Sequence, residues 1–123
     1  MIDFKRDGYY VVRPEHADWA DIEFTPATST LDYRAIKRVV PGTLELVTLA
    51  EGGYRRHEGG PFGFVMDPIG AEADAYIDED YMRGGLPPNL LATQLASAHG
   101  CKHIGGGAIR GNMIVICGRA KER

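Results

Sequence analysis

The chain is predicted to fold as a single α+β domain over residues 1–123, with a mixed or antiparallel sheet of about five or six strands and two helices. Three observations carry that expectation. Its 123 residues are too few to divide into two domains, yet enough to bury roughly two thirds of the unfolded surface. Short apolar runs cut by proline and glycine outnumber the two stretches with helical periodicity. Strands and helices do not alternate strictly, unlike the pattern of a doubly wound parallel sheet. The apolar and charged fractions of 44% and 25% are globular averages and speak against a disordered or fibrous chain.

Residues 1–13 read as an N-terminal strand: Tyr9, Tyr10, Val11 and Val12 are aromatic and β-branched, and Pro14 ends the run. Residues 19–24 suit a short strand with Ile22 and Phe24 on one face. Ser29 opens a helix, with Asp32 three residues on as an approximate capping box. Leu31, Ala35, Ile36, Val39 and Val40 form its buried stripe, and Pro41-Gly42 stops it. Residues 43–49 are apolar in part on both faces, which predicts a central strand.

Beyond the Glu51-Gly52-Gly53 turn, residues 54–61 read as a polar loop tip carrying Arg55, Arg56 and His57. Residues 62–67 form the next strand, and residues 73–78 fit either an edge strand or a helical turn. Pro87-Pro88 suits a first helical turn, whose amides lack partners anyway. Leu91, Leu95 and Ala98 line one helical face, with Gly100 placed to end the helix in the left-handed region. After the glycine-rich stretch 105–111, residues 113–117 are apolar at every position and predict a second central strand.

Charge is uneven along the chain. The net charge is −3, but residues 62–82 hold six acids and no Lys or Arg, whereas residues 83–123 hold six bases and one acid. The blocks can neutralise each other within one copy, pair between copies of a homo-oligomer, or leave the basic block facing an anion. Neither the tip with Arg55, Arg56 and His57 nor the glycine-rich stretch with Arg110 has the density that duplex nucleic acid requires. The two cysteines, Cys101 and Cys117, are too few for a disulfide framework and fit free thiols in a reducing compartment. The first ten residues lack the apolar run of a signal peptide, and no stretch of some eighteen apolar residues occurs. A cytoplasmic protein outside the membrane is the expectation.

Several groups can carry chemistry. Asn89 starts a helix whose free amides favour an anion, and its amide can read a base edge or a ribose hydroxyl. Arg110 can grip a phosphate with two parallel bonds, and Gly107 and Gly111 allow close backbone approach. With Thr93 and Arg83 these make the candidate ligand-binding set: Asn89, Thr93, Arg110, Gly107, Gly111 and Arg83. The structural alternative is that Asn89 only caps a turn and Arg110 only pairs with the acidic block. His99, Cys101 and His103, two apart, offer metal or thiol chemistry, but their spacing fits no usual zinc pattern and a fourth ligand is not evident. No cofactor and no metal are expected.

The helix over 31–40, Pro41-Gly42 and the strand Leu44-Glu45-Leu46-Val47 are followed by Phe64-Val65-Met66-Asp67, Gly85-Leu86-Pro87-Pro88-Asn89, Ala92-Thr93 and the stretch 111–118. This order resembles a small domain family of unknown function common in bacteriophages and bacterial mobile elements. That family has a Leu-Pro-x-Asn-x-x-Ala-Thr segment and a closing Gly-x-x-Val-Val-x-Gly strand. The resemblance covers roughly residues 30–118. It departs from the family pattern at Pro41, where glycine is usual, and in the acidic insertion after Asp67. It implies a phage-type cytoplasmic accessory protein and no assigned catalytic residues.

The function expected from these readings is non-catalytic binding of a small phosphorylated or nucleotide-type ligand, for example sequestration of a signalling nucleotide in an anti-defence role. One alternative is an inhibitor of a host protein, acting through an exposed edge strand or the tip at residues 54–57. The other is a metal- or thiol-dependent enzyme built on His99, Cys101 and His103.

Overall fold

The computed structural model describes residues 2–80, 85–101 and 107–121. Among the described residues, seven strands and two α-helices follow one another as β1 (Gly8–Val12), β2 (Glu23–Pro26), α1 (Tyr33–Val39), β3 (Leu44–Ala50), β4 (Tyr54–Glu58), β5 (Phe64–Pro68), β6 (Glu72–Asp78), α2 (Leu90–His99) and β7 (Met113–Cys117). Five strands form one sheet in the order β2-β1-β7-β6-β3, every neighbouring pair antiparallel. The α+β class and the approximate strand and helix count are as the sequence predicts.

β7 lies at the centre of the sheet because all five of its residues are apolar and both of its faces are covered. One face carries Met113, Val115 and Cys117 into the main core with Val12, Val47, Leu49, Ile77, Leu91 and Leu95. The other carries Ile114 and Ile116 into a smaller core with Ile36, Val40 and Ala120. The helices thus occupy opposite faces of one sheet.

Two strand expectations need correcting. β3 is an edge strand, not a central one, and β6 takes the inner place between β7 and β3. β3 is apolar on both faces for unequal reasons. Val47 and Leu49 are fully buried in the main core, whereas Leu46 is 43% exposed on the face beside α1. The alternation in β6 that leaves strand and helix equally open is resolved as a strand, with Ala73, Ala75 and Ile77 inward.

Local chemistry moves three boundaries. Asp18 and Asp21 cap each other's backbone amides and turn residues Trp19–Asp21 into a 3-10 helix, so β2 begins only at Glu23. Leu31 donates its amide to the carbonyl of Ala120, which holds the chain off helix, and α1 starts after Asp32 rather than Ser29. Asp32 Oδ1 then accepts from the Ala35 amide at 2.9 Å. Gly100 ends α2 with φ −76°, not left-handed; a β-carbon there would stand 2.4 Å from the Ala96 carbonyl oxygen. Glycine is needed for that close approach, and the chain passes directly into a bridge with Leu49 on the outer edge of β3.

The stretch expected as a polar loop is a strand. β4 and β5 pair antiparallel as a two-stranded ribbon in line with β3 and β6: Ala50 faces Glu72, and after a bend Tyr54 faces Pro68. Bonds between Glu51 and Ala71 and between residues 52–53 and Ile69 carry the pairing through that bend. The ribbon therefore extends the edge strand β3 and its neighbour β6 beyond the body of the domain.

Candidate functional site

The candidate residues around α2 are brought together, but they face inward. Asn89 is the N-cap of α2 and is wholly buried. Its Nδ2 donates to the carbonyls of Val12 at 2.9 Å and Gly111 at 2.8 Å, and its Oδ1 accepts from the Ala92 amide at 3.1 Å. Its own amide donates to Ile109. Both side-chain donors and the acceptor oxygen are thereby engaged by protein groups, as a buried amide requires. Thr93, one turn on, donates through Oγ1 to the Asn89 carbonyl at 2.8 Å and accepts from the Ile109 amide at 2.9 Å. The two side chains sew the helix start to the end of β1 and to the segment that leads into β7.

The two prolines precede the helix instead of entering its first turn. Pro88 forms an isolated antiparallel bridge with Arg110, and Gly111 donates its amide to Pro87. Gly111 has φ +79°, a conformation that residues with a β-carbon rarely adopt, so this crossing favours glycine. Arg110 extends along the surface and donates from Nη1 to the Leu86 carbonyl at 3.0 Å. Among the described residues it pairs with no carboxylate. Gly107 is exposed, and Arg83 lies outside the described residues.

Beside this crossing is a cleft of about 240 Å³. Pro14, Val40, Pro41, Leu86 and Pro87 give it an apolar wall, and Glu15, Asp78 and Asn112 give it polar groups. Asn112 is held by a bond from Nδ2 to the Val39 carbonyl. The ionisable groups lining this cleft are acids, a chemistry that receives cations and hydroxyl donors rather than bare phosphate.

Of the thiol and histidine candidates, His99 and Cys101 both lie against β3. His99 Nδ1 bonds the Ala50 carbonyl at 3.0 Å and its ring packs against Phe4 at 5.2 Å. Cys101 lies at the β3 edge, its amide on the Thr48 carbonyl, and His103 lies outside the described residues. Among the described residues no three His, Cys, Asp or Glu side chains converge as a metal site would require. Both described cysteines are free, and burial, with a smaller contribution from Asp3, pushes the Cys117 thiol up to about 12.

The ribbon is a site that the sequence reading placed only in part. Phe62, at its tip, is 86% exposed; Phe64 and Ile69 are also exposed large apolar residues. The Arg56 guanidinium stacks over the Phe64 ring at 4.1 Å, and His57 and Asp67 pair across the strands at 2.7 Å. At the base Tyr54 donates to Glu72 at 2.9 Å, and burial first, with Glu72 adding to it, pushes the phenol up to about 12. The sequence signal for the ribbon was the glycine-proline cluster at residues 59–63 between two short runs, the pattern of a hairpin turn.

Comparison with protein-family models, with characterised proteins and with solved structures found no match to this chain. Among the described residues no helix is long and apolar enough to cross a membrane.

Proposed function

We propose that this is a non-catalytic accessory protein that binds another protein through the β4–β5 ribbon. The observation that supports it is the ribbon itself: an arm whose two strands are mostly exposed and whose tip carries Phe62 with 86% of its surface free. Exposed aromatic side chains and arginines, here Phe62 at the tip and Arg56 stacked on Phe64, are the residue types on which protein interfaces concentrate their binding energy. The partner surface that fits is an apolar pocket, which would meet Phe62 at the tip. The test is a photoreactive phenylalanine at position 62 of the full chain. One dominant cross-linked species, competed away by the unlabelled protein, is expected. Diffuse labelling with no competed species would sink the reading.

A second reading, binding of a small nucleotide-type ligand, is favoured by the cleft at Leu86 and Gly111. Its apolar walls suit a planar base, Glu15 and Asp78 suit ribose hydroxyls, and Arg110 stands on the neighbouring segment for a phosphate. In this form of the reading Asn89 and Thr93 shape the cleft from behind rather than touch the ligand. A panel of nucleosides and linear and cyclic nucleotides is expected to raise the Tm, with the nucleotide increment lost in Arg110→Ala. No shift with any of them would remove it.

A further inference from the structure

We propose that the cleft beside the Pro87–Gly111 crossing binds a small aliphatic amine, its ammonium held by Glu15 and Asp78 and its carbon chain laid against the proline wall. Nothing in this site depends on the ribbon, and its occupant differs from the nucleotide considered above.

The polar side chains of the cleft are rich in acceptors and poor in donors. Glu15 and Asp78 are carboxylates, and Asn112 spends Nδ2 on the Val39 carbonyl while its Oδ1 stays an acceptor. The backbone adds few donors. Pro14, Pro41 and Pro87 have no amide hydrogen, the Val40 amide bonds Ile36 and the Gly111 amide bonds Pro87. Asp78 is half-buried; its Oδ1 accepts from the Asp80 amide at 2.9 Å, and its Oδ2 packs against Gly42, where a β-carbon would displace it. Neighbouring cations do not neutralise the two acids. Lys37 donates to the Gly42 carbonyl and Arg110 to the Leu86 carbonyl, and among the described residues neither forms an ion pair with Glu15 or Asp78.

Acceptors set in this way call for a donor that carries positive charge. The apolar wall and the volume of about 240 Å³ call for a hydrocarbon body, since a cavity of roughly 150 Å³ already holds benzene. A bare metal ion would leave that wall unused, and among the described residues it finds no third His, Cys, Asp or Glu. A peptide bearing lysine would bring carbonyls that need donors the lining lacks.

Amide NMR of the full chain, titrated with the diamine cadaverine, tests this. Saturable shifts are expected at Glu15, Asp78, Gly111 and Asn112, with a Kd of about a millimolar or below for a ligand of this size. The diol of the same chain length, uncharged, should bind at least about tenfold more weakly. Glu15→Gln should weaken the diamine about threefold and Asp78→Asn about tenfold, whereas Glu58→Gln, near the tip of the ribbon, should leave it unchanged. Amide spectra unaltered away from the cleft check that each variant keeps the fold. Absence of a saturable shift, equal binding of the diol, or full binding by Asp78→Asn would each overturn the proposal. So would an equal loss in Glu58→Gln, which would reduce the effect to attraction by net charge. Adenosine monophosphate saturating the same amides where cadaverine does not would overturn the amine and hand the cleft to the nucleotide reading. Tighter binding of Nα-acetyl-lysinamide than of cadaverine would overturn a free amine in favour of a lysine side chain. The cross-link expected from position 62 stands or falls separately from all of these.

Discussion

Asn89 donates to the carbonyl of Val12, 77 residues earlier in the chain, across a hydrogen bond of 2.9 Å. With the bond to Gly111 it ties the first strand, the second helix and the entry to the central strand at one buried point. Asn89→Ala leaves two buried carbonyls and the Ala92 amide without partners, at about 1–3 kcal/mol for each unsatisfied group. A loss of about 3 kcal/mol or more in denaturant unfolding is expected. Asn89→Asp is the discriminating variant. Aspartate is as good an N-cap as asparagine, so near-neutral behaviour would mean that capping is the whole role. Because aspartate cannot donate to Val12 and Gly111, a loss comparable to that of alanine is expected.

The sheet order predicts how substitutions should differ between strands. Ile116, 2% exposed on central β7, should cost about 2–5 kcal/mol when changed to alanine. Leu46, on the outer strand and partly in water, should cost about 0.5 kcal/mol or little more. Equal losses at the two positions would contradict the order β2-β1-β7-β6-β3.

Acid should loosen the junction between the two chain ends. Asp7 accepts from the Arg119 amide at 2.8 Å and from Arg119 Nε at 3.1 Å. The backbone bond first, and the guanidinium with it, holds its carboxyl below the usual 3.8. A depressed carboxylate binds a proton more readily in the unfolded chain, so its contribution is present above the unfolded value and fades as pH falls through the folded one. Glu23, lowered by its bond to Arg13, acts with the same sign. The Tm should therefore decline below about pH 4, and Asp7→Asn should flatten that decline while lowering the Tm near neutrality. An unchanged acid limb in Asp7→Asn would rule this out.

Thiol reactivity should report burial. Cys117 is buried in the main core and its thiol is pushed up to about 12, whereas Cys101 is half-buried at the β3 edge. A disulfide reagent should label one thiol quickly, that label should vanish in Cys101→Ser, and Cys117 should react only on unfolding. The sign with pH is opposite to that for Asp7. Above about pH 9 the unfolded thiol ionises and the folded one does not, so alkali should favour unfolding. Fast labelling of Cys117 in the native protein would contradict the core assignment.

Where a single physical demand dominated, the sequence showed it plainly. β7 is apolar at every position because it is covered on both sides, and α2 announces itself by a cap followed by apolar residues at helical spacing. β3 misleads because apolarity from a buried face and apolarity from a half-exposed one look alike in sequence. β6 escapes assignment because its inward positions are partly alanine, a residue with weak strand preference. The ribbon has almost no core to impose alternation on it, so Tyr54 to Glu58 reads as polar loop. For the candidate site, residue types identified the cluster at Asn89, Thr93, Arg110 and Gly111. Whether an asparagine points to solvent or into the protein depends on which carbonyls lie opposite, and those come from 77 residues upstream as well as from 22 residues downstream.

The ribbon's place at the end of β3 and β6 has an evolutionary consequence. β3 and β6 are held by the core, while residues 55–58 and 64–68 of the ribbon are mostly exposed and pair with each other. Substitutions in the ribbon carry small folding penalties. Lineages of this protein can therefore rewrite the ribbon's sequence, or lengthen it in steps of two residues to keep its faces, without renegotiating the domain beneath. Whatever the ribbon recognises, drift and selection should register there first, against a body whose buried crossing at Asn89 and Gly111 tolerates almost no change.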